Sequence, residues 1–293
     1  MKYLCFDIGG TYIKYAVYDE LGQVILTTQK VKTQVDATSN GILNQVVDVI
    51  EQVQATVALD GIAISTAGVV DAADGSIRFA GPTIPGYTGT PIKATIEAKT
   101  QLPCAVLNDV NAACLGEYWQ GLTESHKPQS LVCLTLGTGV GGAVMLDGKL
   151  VNGITDMAGE LGYLPVGHST LQELASTTAL LQRAKAVHGS FLTGEQLFEL
   201  VRTGMHPELE TVLQEVMADL ATGLLSVIYL LNPEVIILGG GILAQADLLL
   251  PLLHAALEEQ VISPRFLTAT IQPATLGNDA GMLGALYHLL TTT

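Results

Sequence analysis

Basic residues are scarce in this chain of 293 residues: 13 lysines and arginines stand against 28 aspartates and glutamates, a net charge of −15. That field repels phosphodiester backbones and anionic lipid heads, so neither nucleic acid nor a membrane surface is expected as a partner. Cysteine is scarce as well. Cys5, Cys104, Cys114 and Cys133 lie far apart with no Cys-x-x-Cys pair, which excludes a disulfide scaffold and the common kind of structural zinc site and fits buried thiols in a reducing compartment. The most apolar stretch, Leu220 to Leu238, is interrupted by Asn232-Pro233-Glu234, so it reads as a helix end followed by a short core strand and not as a membrane span. Met1 to Asp7 lack the apolar core of a secretory signal, and the expected location is the cytoplasm. The P-loop string Gly-x-x-x-x-Gly-Lys-Ser/Thr does not occur, and no proline-rich or charged linker divides the chain.

Apolar side chains are plentiful, at 48%. At about 150 residues per domain the length predicts two domains with real cores. Leu4 to Phe6, Gly9-Gly10, Tyr12 to Tyr18 and the turn at Asp19 to Gly22 read as an antiparallel meander. The same grammar recurs at Leu131 to Leu136, Gly137 to Gly142, Ala143 to Leu146 and Asp147-Gly148, nearly half the chain later, which suggests a duplicated domain. Strand and helix alternate after each meander. Helices are predicted over Ile42 to Val53, behind cap candidates Ser39 and Asn40, from Thr90-Pro91, and over Val110 to Trp119. Further helices are predicted over Leu171 to Val187, Thr193 to Arg202 with a capping box at Thr193 and Gln196, Pro207 to Leu231, Ile242 to Gln260 and Asp279 to Leu290. Strands are predicted at Gly61 to Ser65, Cys104 to Leu107, Val235 to Leu238 and Leu267 to Gln272. The fold class is therefore α/β, two domains with mixed sheets and an expected cleft between them.

Five motifs carry chemistry. In Asp7-Ile8-Gly9-Gly10-Thr11 the glycines leave backbone N–H groups bare toward anionic oxygens, Thr11 offers a hydroxyl, and Asp7 can hold Mg²⁺ through water; a plain hairpin turn is the alternative. Gly137-Thr138-Gly139-Val140-Gly141-Gly142 matches the dinucleotide fingerprint in spacing, but a strand follows it where that fingerprint needs a helix, so it reads as a second phosphate-binding turn. Gly239-Gly240-Gly241 joins a strand to a predicted helix, which would aim backbone donors and a dipole end at a nucleotide, or is simply a tight connection. The second and third loops hold no lysine or arginine, so polyphosphate charge would be met by backbone donors, helix dipoles and Mg²⁺.

Leu107-Asn108-Asp109-Val110-Asn111 sits at a strand's carboxyl end before a helix. Asp109 there can accept the proton of an attacking hydroxyl while Asn108 orients the same substrate, or Asp109 can merely cap the helix. Ala158-Gly159-Glu160-Leu161-Gly162-Tyr163, followed by Glu173, supplies carboxylates of the kind that accept hydrogen bonds from vicinal sugar hydroxyls; singly, each is an ordinary solvated acid. The six histidines are scattered and form no metal spacing with cysteine.

Taken in order, these motifs, together with Leu276-Gly277-Asn278-Asp279-Ala280-Gly281, resemble the ROK family (repressor, open reading frame, kinase) over essentially the whole chain. The resemblance implies an actin-like ATPase fold of ribonuclease H-like domains, ATP with Mg²⁺, and phosphorylation of a hexose or hexoside such as glucose or a β-glucoside. It implies that Asp7, Gly9, Gly10 and Thr11 hold phosphate and metal, Gly137, Thr138 and Gly139 the other side of the phosphates, and Gly239, Gly240 and Gly241 the nucleoside end. Asn108 and Asp109 would hold the acceptor hydroxyl with Asp109 as base, and Gly68, Glu160 and Glu173 would contact the sugar. The implied domains are residues 1–113 with 277–293, and 114–276, and the expected assembly is a homodimer.

Two departures from the family pattern stand out. Tyr163 replaces a histidine, and Val166-Gly167-His168-Ser169-Thr170 replaces a cysteine-rich zinc segment, so no zinc site is expected and Tyr163 can stack on a sugar ring or close part of the pocket. Repressors of the family resemble fusions with a helix-turn-helix domain ahead of the first loop, where only six residues precede Asp7 here. The alternative to a kinase is a catalytically idle sugar-binding or regulatory protein.

Overall fold

The computed structural model describes residues 1–36, 38–81, 84–123 and 127–292. They form two compact units, one of residues 1–127, 152–158 and 275–293, the other of residues 128–151 and 159–274.

The first unit opens with β1 (Tyr3–Ile8), β2 (Tyr12–Tyr18) and β3 (Val24–Lys32), the expected antiparallel meander. Helix α1 (Ile42–Gln54) leads to β4 (Gly61–Thr66), then the short hairpin β5 (Val69–Val70) and β6 (Ile77–Phe79), α2 (Ile92–Thr100), β7 (Cys104–Asn108) and α3 (Asp109–Gly116). The sheet order is β3-β2-β1-β4-β7, with β4 parallel to β1 and β7 parallel to β4. Successive residues of β1 face opposite sides, as a pleated strand requires. Leu4, Phe6 and Ile8 join the helical residues Val46, Ile50 and Ile96 in one core, whereas Tyr3 and Cys5 join a second core on the other face. Both faces are buried, which is why the strands read as continuous apolar runs.

The second unit repeats the plan with β8 (Ser130–Leu136), β9 (Val140–Leu146) and β10 (Lys149–Leu150) as its meander. After a small hairpin, β11 (Pro165–Val166) and β12 (Ser169–Thr170), come α4 (Leu171–Ala175), α5 (Thr177–His188), α6 (Gly194–Arg202) and α7 (Pro207–Leu231). Then follow β13 (Val235–Gly239), α8 (Ala246–Gln260) and β14 (Thr270–Pro273), giving the order β10-β9-β8-β13-β14 with β13 and β14 parallel to β8. Two helical segments, Pro207–Leu231 and Gly241–Gln260, are long and apolar enough to cross a membrane. Helix α7 spends its apolar face on this unit's core, through residues such as Val216, Leu220, Leu224 and Ile228. The chain ends with α9 (Ala280–Thr292), packed in the first unit.

Several predicted helices are shorter or divided. The helix read as Leu171 to Val187 breaks at Ser176, whose hydroxyl accepts from the Ala179 amide and caps α5. The helix read as Val110 to Trp119 ends at Gly116 and gives way to a π-helical turn, Glu117–Gly121. The helix read from Ile242 starts only at Ala246, after a 3₁₀ turn over Gly241–Gln245, so the glycine loop is not followed directly by an α-helical N-terminus. The Thr193 and Gln196 capping box is present.

Helix α3 and the π-helical turn lie wholly in the first unit, not on either side of a change at residue 113. The buried Glu117 explains this: its carboxylate accepts from the amides of Thr275 and Leu276 and from the Thr275 hydroxyl, at 2.8–3.1 Å. The segment 152–158 likewise packs with the first unit, where Asp156 pairs with Arg78 at 3.1 Å.

Helices α3 and α9 cross at two glycines. A Cβ on Gly284 would lie 1.6 Å from the Ala112 carbonyl oxygen, and one on Gly116 would lie 2.2 Å from that of Ala280. Both obstacles are backbone, so neither can step aside. Gly284→Ala is expected to destabilise the first unit by about 3 kcal/mol or more, read as a lower urea midpoint; an unchanged midpoint would refute the close crossing.

Candidate active site

Strand register gathers the first group of residues. Asp7 lies opposite Lys14 on β2 and beside Ser65 on β4, and Thr66 lies beside Asn108 on β7. Asp7, Ser65 and Asn108 thus stand near the carboxyl ends of three parallel strands, where open α/β sheets bind ligands. Lys14 Nζ donates to Asp7 Oδ2 at 3.3 Å and to Asn278 Oδ1 at 3.1 Å, and Ser65 Oγ donates to Asp7 Oδ1 at 3.4 Å. Gly281, in the first turn of α9, adds the helix's positive end: a Cβ there would sit 2.8 Å from Ser65 Oγ and 3.6 Å from Asp7 Oδ1. The sequence reading missed Lys14 and Ser65, although the short turn between β1 and β2 already places Lys14 opposite Asp7.

The Gly9-Gly10-Thr11 turn is closed from behind. The Gly9 amide donates to the Tyr12 carbonyl at 3.0 Å, and the buried Thr33 donates its hydroxyl to the Gly9 carbonyl at 2.7 Å. Gly10 and Thr11 are exposed at its tip.

The capping role that the sequence left open falls to Asn108 rather than to Asp109. Asn108 is the N-cap of α3, its Oδ1 accepting from the amides of Val110 and Asn111 at 2.9 and 3.1 Å. Its Nδ2 donates to the Gly68 carbonyl at 3.0 Å and to Asp109 Oδ1 at 2.9 Å. Gly68 itself sits at φ +99°, a left-handed backbone that favours glycine. Asp109 Oδ1 also accepts from the Val110 amide, while Oδ2 accepts no hydrogen bond among the described residues. Asp109 is densely surrounded but keeps a small open face. Burial first, and the Asp7 charge second, push its carboxyl up to about 6 against the lowering effect of its hydrogen bonds.

The second unit holds the second group. The Gly137 amide closes the turn onto the Gly139 carbonyl at 2.9 Å, and Thr177 at the start of α5 donates its amide to the Gly137 carbonyl at 2.9 Å. Gly137, Thr138 and Gly241 line one cavity of about 750 Å³ with Glu195, Phe198 and Gln245, and no lysine or arginine lines it. That volume suits a nucleoside-sized ligand. Walls from α5 and α6 were not anticipated from sequence. Gly239 and Gly240 do not line the cavity; Gly240 (φ +104°) passes so close to β8 that a Cβ would lie 2.2 Å from the Leu136 carbonyl oxygen.

Glu173 lies beside Thr138 and Gly139 in a second concavity of about 440 Å³. Its Oε2 is engaged in the capping box of α4, accepting from the Ser169 hydroxyl at 2.7 Å and from the amide and hydroxyl of Thr170 at 3.1 Å, and the Ser169 bond above all lowers its pKa. Glu160 is exposed in area, although partial burial raises its pKa; Tyr163, at the end of the following 3₁₀ turn, is 64% exposed.

A family model described as the ROK family matches residues 3–292. The chain is similar to an uncharacterized protein of Clostridium perfringens, 40% identical over 286 residues that cover 96% of this chain and 95% of the relative. It is also similar to a beta-glucoside kinase of Listeria monocytogenes, 34% identical over 305 residues covering 99% and 98%. Among solved structures it resembles a ROK family glucokinase from Streptomyces griseus in complex with glucose and AMPPNP, at 29% identity and a TM-score of 0.81, covering 98% of this chain and 99% of that one. The two mixed sheets, each a meander extended by parallel strands, are those of the actin-like ATPase fold. With motifs, fold and full-length similarity in agreement, this chain belongs to the ROK family.

Proposed function

We propose that this protein is an ATP-dependent sugar kinase that phosphorylates a hydroxyl of a hexose or hexoside, with Asp109 as the general base. The observation that carries the reading is the state of Asp109: one carboxylate oxygen is held by Asn108 and Val110, the other accepts no hydrogen bond among the described residues, and burial pushes the carboxyl up to about 6. A base of that strength is ionised at neutral pH yet strong enough to share a proton as an alcohol attacks. The likeness to a beta-glucoside kinase and to a glucokinase holding glucose supports the choice of acceptor class.

In this reading the acceptor oxygen attacks the γ-phosphorus, the bond to the β,γ-bridging oxygen breaks, ADP leaves with that electron pair, and Asp109 takes the hydroxyl proton. The reaction requires the terminal phosphate to reach the alcohol at Asp109. Asn108 holds the base in one rotamer, and Gly68 holds Asn108. Glu160, Tyr163 and Glu173 are the proposed sugar contacts, Glu173 through the carboxylate oxygen outside its capping box. The cavity over Gly137, Thr138 and Gly241 takes the nucleoside end, and Gly9 to Thr11 and Gly137 to Gly139 offer backbone donors to the phosphates. Asp7, a half-buried carboxylate at a strand end, would hold a hydrated Mg²⁺ through water, and the ion when bound would neutralise phosphate charge.

ADP release measured over a panel of hexoses and β-glucosides is expected to depend on sugar and to fall about 10²–10⁴-fold in Asp109→Asn. kcat/KM for the sugar should rise about tenfold per pH unit up to pH about 6 and then level, since the unprotonated base is required. Sugar binding with no turnover at any pH would establish the idle alternative instead. In Ala244→Phe, whose ring would fill the nucleoside cavity, KM for ATP should rise at least about tenfold with sugar affinity unchanged; an unchanged KM would move the nucleotide elsewhere.

The same carboxyl makes a stability prediction. Its folded pKa is raised, so the folded state binds the proton more tightly than the unfolded chain, and the cost of ionising it is fully present above pH about 6 and vanishes as pH falls below its ordinary value. Asp109→Asn is therefore expected to stabilise the protein on the order of 2 kcal/mol at pH 8, with no gain near pH 3.5. Equal urea midpoints for the two proteins at pH 8 would contradict the buried, ionised base.

A further inference from the structure

Away from the candidate active site, the fold gathers three potential metal ligands that are not close in sequence. His188 lies in the last turn of α5, where Gly189 (φ +83°) ends the helix. The chain then runs out through α6, turns at Gly204 (φ +67°) and returns with His206 as the N-cap of α7 and Glu208 in its first turn. The two imidazole rings meet edge to face at 5.5 Å between centroids, and His206 Nδ1 lies 3.0 Å from Glu208 Oε1. One ligand atom from each of the three residues falls within 4.8 Å of the others.

Each side chain has a local reason to be where it is. A histidine suits a helix C-terminus, and an acid suits the first turn of a helix. Those reasons do not bring the two imidazoles together across residues 188–206. We propose that His188, His206 and Glu208 form a divalent transition-metal site, occupied by Zn²⁺, which clips together the two ends of the segment that carries α6.

Two imidazoles with one carboxylate are a borderline nitrogen and oxygen donor set, which favours Zn²⁺ over Mg²⁺ or Ca²⁺. A tetrahedral ion with bonds of about 2.0–2.2 Å needs donors roughly 3.3 Å apart. His206 Nδ1 and Glu208 Oε1, now hydrogen-bonded at 3.0 Å, need to part only slightly to reach that spacing. Both histidines are half-buried and Glu208 is exposed, which leaves water for the fourth position. The sequence predicts no zinc site, because the cysteine segment after Gly162 is missing and the histidines form no metal spacing with cysteine; this proposal departs from that expectation, with ligands drawn from other residues. The clip has a reach beyond itself, because α6 supplies Glu195 and Phe198 to the wall of the 750 Å³ cavity.

The test uses the untagged full chain, stripped with EDTA and returned to Mg²⁺ buffer. Calorimetric titration with ZnCl₂ is expected to show one site of micromolar or tighter affinity. His188→Gln and His206→Gln should each weaken it at least about tenfold, and the double variant carrying both should weaken it further, with helical circular dichroism unchanged. The described cysteines are all buried and offer no competing surface site. Co²⁺ in place of Zn²⁺ should give visible d–d bands that the double variant lacks. Zn²⁺ should also slow amide hydrogen exchange across residues 189–205 in the parent alone. No saturable binding, or equal affinity in parent and double variant, overturns the site; binding at these residues without slowed exchange overturns the clip.

Discussion

Where Asp109 stands is fixed by how closely two helices can approach. Helix α9 packs on a sheet face where Cys5, Ala16, Ala63 and Ala105 lie beside Tyr3 and Tyr18, and crosses α3 where Gly116 and Gly284 leave no side chain between the backbones. Helix α3 begins at Asp109, one residue beyond the end of β7, so anything that lifts α3 from α9 also moves the carboxylate. Glu117 adds a polar lock at the other end of α3, holding the returning chain at Thr275 and Leu276 through a buried carboxylate that has no basic partner among the described residues. The position of the proposed base therefore rests on helix packing and on Glu117 as well as on its own hydrogen bonds.

Asp109 is also a liability to the fold. A buried acid beside another acid is raised in pKa because ionisation is disfavoured there, and the protein retains it in a chain already heavily negative. The surrounding hydrogen bonds moderate the cost without abolishing it: the Asn108 amide and the Val110 N–H both address one oxygen. The arrangement orients the carboxylate and leaves its basic lone pairs available, which a full set of donors would have quenched.

Much of this was legible in the residues, because the relevant signals were local. Strand alternation, the turn glycines and the duplicated meander depend on neighbours in sequence, and the capping box at Thr193 and Gln196 formed as read. Lys14 was recoverable too, since its pairing with Asp7 follows from the length of a single turn. What stayed hidden was non-local. The cavity walls at Glu195 and Phe198 come from a helix far along the chain from Gly137, and the approach of His188 to His206 depends on how the α6 segment doubles back. Helix limits failed where side chains competed with the backbone, as at Ser176, or where the backbone unwound into a wider π-helical turn, as at Glu117.

The glycines sort into two kinds, and the sorting bears on function. Gly240 is demanded by the fold: its backbone is left-handed and the Leu136 carbonyl occupies the space a Cβ would need. Gly137 and Gly241 lack the positive φ that favours glycine, and a Cβ on either would meet nothing within 4 Å. Folding alone does not exclude alanine at those two positions, yet both line the cavity proposed for the nucleotide. A bare backbone with open space above it is what close approach by an anionic ligand needs, especially where no lysine or arginine lines the cavity. A glycine-rich string in sequence cannot separate these kinds, because spacing looks the same for a tight crossing and for a ligand cradle. Around this cavity, Gly240 matches a close crossing and does not line it, whereas Gly137 and Gly241 match a cradle and do.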